Sequence, residues 1–376
     1  MALIIPGVAA TESFAILPVM LGIVARGWWL TDEMLGILAS AELAGLALGT
    51  LIAIKLMYSW GRKRTAFRAM LILTIANAAT LAAPNILSLM AVRVLAGLGA
   101  GAGLAICYVN LSHTTHPERN FAVFTLLQLL LGGVGLFILP FLAESIGWGA
   151  PYVILGSLAF LGMLAARLSL VPNNDGPASE RGAGISNFLP SFLGNQRGVL
   201  ALSGVGFYFI GITAVWAYLD RIGSVRSTTS AEVATIVAAS QIVAMAGATA
   251  ASLLAGRLSL ATSLVTGSLM TILGISALIF ASGPTGFMLA VAVMSFAWNY
   301  VTAPQFAVVA ALDTDGSLAG VLSTVTGVGA ALGPAFGSRF VGNGFASLLV
   351  SGALLVFASY LLIRFACRPI NNHSRQ

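Results

Sequence analysis

Runs of about twenty apolar residues, parted by short polar breaks, recur along this whole chain and leave it few folds to choose from. A backbone in hydrocarbon must satisfy its own hydrogen bonds, so each run reads as a helix. Twelve spans can be placed, near 2–24, 34–55, 65–83, 86–108, 121–143 and 148–170, and near 198–218, 232–254, 260–281, 284–309, 317–338 and 345–366. Most breaks are short. The exception is the stretch beginning "VPNNDGPASERG", rich in Pro, Gly, Asn and Ser, which reads as a polar linker. The expected fold is therefore an all-α polytopic membrane protein of twelve transmembrane helices in two six-helix bundles. The bundles cover 1–170 and 198–366, with a cytoplasmic linker over 171–197 and a cytoplasmic tail over 367–376.

Composition agrees. Of 376 residues, 58% are hydrophobic and 8% charged, where a soluble domain carries about 25% charge. The net charge of +6 does not point to nucleic acid, because the basic residues sit in short loops between apolar runs. They set orientation instead. With the amino terminus inside, thirteen Lys and Arg fall on the inner side and four (Arg26, Arg221, Arg226 and Arg339) on the outer side. Both termini are then cytoplasmic, in a bacterial-type inner membrane. Trp28, Trp29, Trp148 and Trp216 fall near the outer interface on this reading, and Trp60 near the inner one. Cys107 and Cys367 have no ligand-type spacing, so neither a disulfide framework nor a metal site is expected, and no cofactor is implied. The first span lacks a basic leader and contains Glu12, which argues against a cleaved signal peptide.

The halves resemble each other. "GVGLFILP" at 133–140 matches "GVGAALGP" at 327–334, and "ILASAELAGLALGT" at 37–50 lies over "IVAASQIVAMAGAT" at 236–249, setting Glu42 opposite Gln241. Such symmetry marks transporter folds built from repeats around a central site.

Few ionisable residues lie inside the spans. Glu12 sits mid-span in the first. Glu42 and Arg93 lie seven or eight positions from the outer ends of the second and fourth, about 10–12 Å deep at 1.5 Å per residue. They can therefore pair. Glu42 shares a helix face with Gly45 and Gly49, and Arg93 with Gly97 and Gly101, so both face protein rather than lipid. Intramembrane charges mark proton relays or substrate sites. Glu42, Arg93 and Glu12 are thus proton-coupling candidates, the alternative being a permanent Glu42–Arg93 pair that fixes packing. Polar and aromatic residues form a second group. Gln128, Tyr208, Thr213, Gln241, Trp298, Asn299, Tyr300 and Gln305 would suit a cavity for a small amphipathic organic molecule, or would serve ordinary interhelical hydrogen bonding. "YLDRIG" puts Asp220 and Arg221 at an outer gate or loop, while His113 and His116 read as loop residues. There is no P-loop, and "GLGAGAG" at 97–103 lies within an apolar span, where packing explains it better than nucleotide binding. No catalytic cluster is visible, so an enzyme is not expected.

Twelve spans in two sixes with a long central linker resemble the major facilitator superfamily. "LMYSWGRKR" at 56–64 is similar to that family's loop motif G-x-L-a-D-R-x-G-R-R, with Leu56, Gly61, Arg62 and Lys63 matching. Ile54, Tyr58 and Ser59 replace the expected Gly, Asp and Arg, so the motif here lacks the Asp on which the family's cytoplasmic gate rests. "RVLAGLGAGA" at 93–102 is similar to the fourth-span motif, in Arg93 and Gly97, and the resemblance implies a proton-transfer role for Arg93. The span-five Gly-Pro pair of proton-driven exporters is displaced here to Gly135 and Pro140, while Gly333 and Pro334 keep it in span eleven. The resemblance implies a monomeric secondary transporter, its partners a small-molecule substrate, protons and the lipid bilayer, with direction left open. The alternatives are a transport-inactive sensor or assembly factor on the same fold, and a sodium-coupled carrier.

Overall fold

The computed structural model describes residues 4–112, 117–168, 195–226, 229–313, 317–342 and 344–367. The linker over 171–194, His113, His116 and the tail beyond Cys367 lie outside the described residues. Among the described residues the structure is helical, with one isolated bridge between Ala255 and Leu258. The first half contains α1 (Ile4–Ala15), α2 (Leu17–Trp28), α3 (Asp32–Trp60), α4 (Arg62–Thr80), α5 (Ile86–Ser112), α6 (Pro117–Ile146) and α7 (Ala150–Leu168). The second contains α8 (Gln196–Ala217), α9 (Leu219–Ser224), α10 (Ser230–Leu254), α11 (Leu260–Phe280), α12 (Gly283–Leu312), α13 (Ser317–Val341) and α14 (Phe345–Ala366).

Local chemistry sets several ends. Thr31, Thr229 and Ser259 cap α3, α10 and α11 by accepting from backbone N–H groups, and Thr229 with Glu232 completes a reciprocal capping box. Gly61, at φ 77°, turns the chain between α3 and α4. The first expected span is broken: α1 and α2 meet at a 59° bend. Pro18, in the first turn of α2, has no N–H to continue the ladder and its ring crowds the preceding turn.

Each expected span falls on a helix or on the bent pair. Among the described residues, eight stretches can cross a membrane by length and composition, or nine if the bent pair counts as one span. One of the eight, Val123–Leu168, runs through both α6 and α7. Neither α4, whose first turn is Arg62, Lys63 and Arg64, nor the Gly-, Ser- and Thr-rich α13 is among them.

Packing repeats between the halves. In the first, α5 packs on α3 and α4, and α7 on α4 and α1; in the second, α12 packs on α10 and α11, and α14 on α11 and α8. Across the halves α3 packs on α13 and α10 on α6, the same pairing with the roles exchanged. The aligned segments of the sequence thus take equivalent places. The α3–α5 contact is close because residues 45, 49, 97 and 101 are glycine. A Cβ on Gly97 would strike the Glu42 carbonyl oxygen, and one on Gly101 that of Leu46.

Candidate functional site

A cavity of about 320 Å³ lies between the halves. Phe14 and Ala15 of α1 and Gln128 and Leu129 of α6 line one side. Trp216 of α8, Gln241 and Ala244 of α10, and the Ser295, Trp298, Asn299, Thr302, Ala303 and Phe306 face of α12 line the other. The α12 residues recur at helical spacing and so form one stripe. Among the described residues no charged side chain is in the lining. Phe14 and Trp216 both meet the Trp298 ring edge-on, at centroid distances of 6.1 and 5.8 Å, and Trp216 Nε1 donates to the Phe14 carbonyl at 3.1 Å. This aromatic trio joins α1, α8 and α12 across the cavity. Trp216, expected near the outer interface, is instead buried in the cavity wall because its indole N–H finds a carbonyl there.

The end of the protein bearing Arg26 and Arg221 is closed. Arg221 Nε donates to Asp32 Oδ1 at 2.7 Å, and the Tyr218 hydroxyl donates to the Asp32 carbonyl at 2.8 Å. Arg26 donates to Ser230 Oγ at 3.1 Å and lies 3.7 Å from Asp220. The Ala335 N–H, next to Pro334 within α13, donates to Ser40 Oγ at 2.8 Å. Beneath these contacts the largest buried apolar cluster crosses both halves, from Leu17, Met20 and Val24 to Ile212, Val215 and Val291. Asp220 is 1% exposed and neither carboxylate oxygen has a hydrogen-bond partner. Burial pushes its carboxyl up to about 6, against the pull of Arg26 and Arg221.

Of the polar residues singled out in the sequence, Gln128, Gln241, Trp298 and Asn299 line the cavity. Four others do not line it. The Tyr208 hydroxyl lies 3.3 Å from Thr271 Oγ1 on α11. Thr213 donates to the Phe209 carbonyl at 2.6 Å and packs under Gly333 of α13. The Tyr300 hydroxyl is 3.5 Å from Thr266 Oγ1, and Gln305 is buried with no partner for either side-chain atom. Phe14, Trp216 and Phe306 were missed, because an apolar aromatic in an apolar span carries no polar signal. The α12 stripe was available: residues 295, 298, 299, 302 and 306 share one helix face, from which Tyr300 turns away while Gln305 sits at its edge.

The charged candidates separate. Arg93, 0% exposed, donates from Nε to Glu42 Oε2 at 3.0 Å and from a terminal nitrogen to Glu42 Oε1. Its other terminal nitrogen donates to Asn77 Oδ1 at 2.9 Å and Thr80 Oγ1 at 3.1 Å, and its guanidinium stands 4.8 Å from the Tyr152 ring centroid. Every guanidinium nitrogen is thus used, and the pair ties together α3, α4, α5 and α7 away from the cavity. Glu12 differs. It is 2% exposed, its Oε1 has no hydrogen-bond partner, and Oε2 points towards Gly132 of α6. Gln128, one turn earlier on α6, lines the cavity, as do Phe14 and Ala15 beside Glu12 in sequence. In the first turn of α4, Arg62 is buried with Nε unpartnered, beside the half-buried Lys63. Gly135 packs on Ile16 at the α1–α2 break, and Pro140 lies within α6. Among the described residues, no three of His, Cys, Asp and Glu converge as metal ligands.

Comparison with known proteins bears on the same architecture. The chain is 26% identical over 164 residues to the inner membrane transport protein YdhP of Escherichia coli, covering 43% of this chain and 42% of that one. It is 30% identical over 138 residues to the niacin transporter NiaP of Acinetobacter baylyi, covering 35% and 30%. The chain thus matches less than half the length of these curated relatives. Its fold matches that of the nucleoside transporter NupG, solved as a variant, with a TM-score of 0.79, 11% identity and coverage of 97% of this chain and 98% of that one. The Major Facilitator Superfamily profile matches residues 2–334. With that match over most of its length, and an apolar helical fold of the same kind, the chain belongs to the major facilitator superfamily.

Proposed function

We propose that this protein is a secondary transporter that moves a small, uncharged, planar organic solute by alternating access, coupled to protons. Two six-helix bundles, 1–170 and 198–366, would rock about the cavity, with the 171–197 linker and both termini cytoplasmic. The observation that carries this reading is the cavity itself. It is lined from both halves and shut at the Arg26 end, so a rocking motion would expose it to one face at a time. Its chemistry narrows the solute. Phe14, Trp216, Trp298 and Phe306 offer ring faces and edges, while Gln128, Gln241 and Asn299 offer amides, with no charge to neutralise an ionised group. A heteroaromatic molecule fits that set. A relative named as a niacin transporter supports the heteroaromatic ring but not the absence of charge, since niacin is a carboxylate at neutral pH.

For the proton we assign Glu12. A buried carboxylate without a donor is stable in an apolar surround when it carries a proton, and one beside a cavity can release it once water enters. The Glu42–Arg93 pair serves better as an anchor, since each charge already satisfies the other. The test is transport by purified protein in proteoliposomes. Solid-supported-membrane currents would be recorded under an imposed pH gradient with nicotinamide, nucleosides, sugars and organic acids. A current with neutral heteroaromatics that Glu12→Gln abolishes is expected. Folded protein that passes none of these solutes would overturn the transporter reading.

A further inference from the structure

A second concavity, of about 160 Å³, lies on the periphery of the first half. It arises because α3 and α4 each pack on α5 more than on each other. Gly49 brings α3 against Leu98, and Gly99 brings α5 against Ala69 of α4, which leaves a slot between α3 and α4 floored by α5. Ile52, Ile72 and Leu95 in its walls are 47%, 38% and 41% exposed, so the slot opens outward, where lipid lies, rather than into the protein. Along α3 it runs from Gly49 to Trp60, about 16 Å at 1.5 Å per residue. That is roughly half of the ~30 Å hydrocarbon core, the depth of one leaflet.

Its mouth is cationic. Arg68 stacks on Trp60, with its guanidinium carbon 4.2 Å from the ring centroid, and both line the slot. Arg64, four residues earlier on the same face of α4, is exposed beside it. Among the described residues, no carboxylate lines the slot and none pairs with Arg68. Trp is a headgroup-level residue, and basic clusters at that level attract anionic lipid headgroups. The geometry points to a binding site for an anionic phospholipid, one acyl chain in the slot and the phosphate against Arg68 and Arg64. A free anion would use the charges and leave the slot without purpose; a zwitterionic lipid would use the slot and gain less from the charges.

The test is native mass spectrometry of the full chain in detergent, titrated with phosphatidylglycerol or phosphatidylcholine of identical chains. Phosphatidylglycerol should be retained preferentially. Arg68→Gln should weaken its retention roughly fivefold, the worth of one basic residue at an anionic headgroup, with phosphatidylcholine unchanged. Leu95→Trp, which fills the slot and keeps every charge, should lower retention of both lipids. Inorganic phosphate in excess should not displace the lipid. Equal retention of the two lipids by the unaltered protein would overturn the assignment, as would phosphatidylglycerol retention indifferent to Arg68→Gln, or displacement by phosphate alone.

Discussion

Arg93 grips both oxygens of Glu42 from the adjacent helix, and neither side chain lines the central cavity. Two charges out of water are tolerable when they satisfy each other and their spare donors find partners, as Arg93 does on Asn77 and Thr80. Removing one partner strands the other. Arg93→Met should cost about 3–5 kcal/mol of stability, read as a lower unfolding temperature in detergent. The double replacement Glu42→Leu with Arg93→Met should regain much of that loss. A single variant as stable as the parent would show that the pair is no anchor.

The two buried glutamates should part company in transport. Glu12→Gln should abolish current driven by a pH gradient while solute counterflow persists, because exchange needs the cavity and not the proton. Glu42→Gln, in whatever protein folds, should keep its dependence on the gradient. The reverse pattern would move the proton site to Glu42.

How far these roles can be read from sequence depends on what each one rests upon. Hydrophobic runs placed the helices because the bilayer imposes length and satisfied backbone on every span alike. Equal depth brought Glu42 and Arg93 together, since helix rise is fixed. Depth cannot say which neighbour a residue faces. Tyr208 and Tyr300 look like cavity residues by polarity, yet each turns to a hydroxyl on α11. Trp216 looks like an interface anchor until Phe14 offers it a carbonyl. Pro18 was visible, but its bend depends on how α2 packs against both halves.

The glycine stripe should be intolerant at its closest point. Gly97→Ala puts a methyl on the Glu42 carbonyl oxygen, which belongs to backbone and cannot swing aside. Overpacking of this sort costs about 1–3 kcal/mol. Gly286→Ala, where the nearest atom is Ala281 Cα at 3.5 Å, should be neutral. Paired unfolding curves would separate a local clash from a general penalty on glycine replacement.

The closed end should respond to pH through Asp220. In the closed state its carboxyl lies over Gly22, where any Cβ would collide with it, and burial raises it to about 6 from an ordinary 3.8. Opening would return it to water and to that lower value. The closed state therefore binds the proton more tightly, and the resulting stabilisation is fully present below pH 3.8 and lost as pH rises through about 6. Arg26 and Arg221 oppose this by favouring the ionised form, but their pull is the smaller effect. Spin labels at Trp29→Cys and Val225→Cys, positions 91% and 60% exposed, would report the separation across this end once Cys107 and Cys367 are replaced. The long-distance population should grow between pH 5 and pH 8, values set to bracket the shifted carboxyl. Asp220→Asn, neutral at every pH, should hold the short distance throughout. Opening that follows pH equally in both proteins would assign the response to another group.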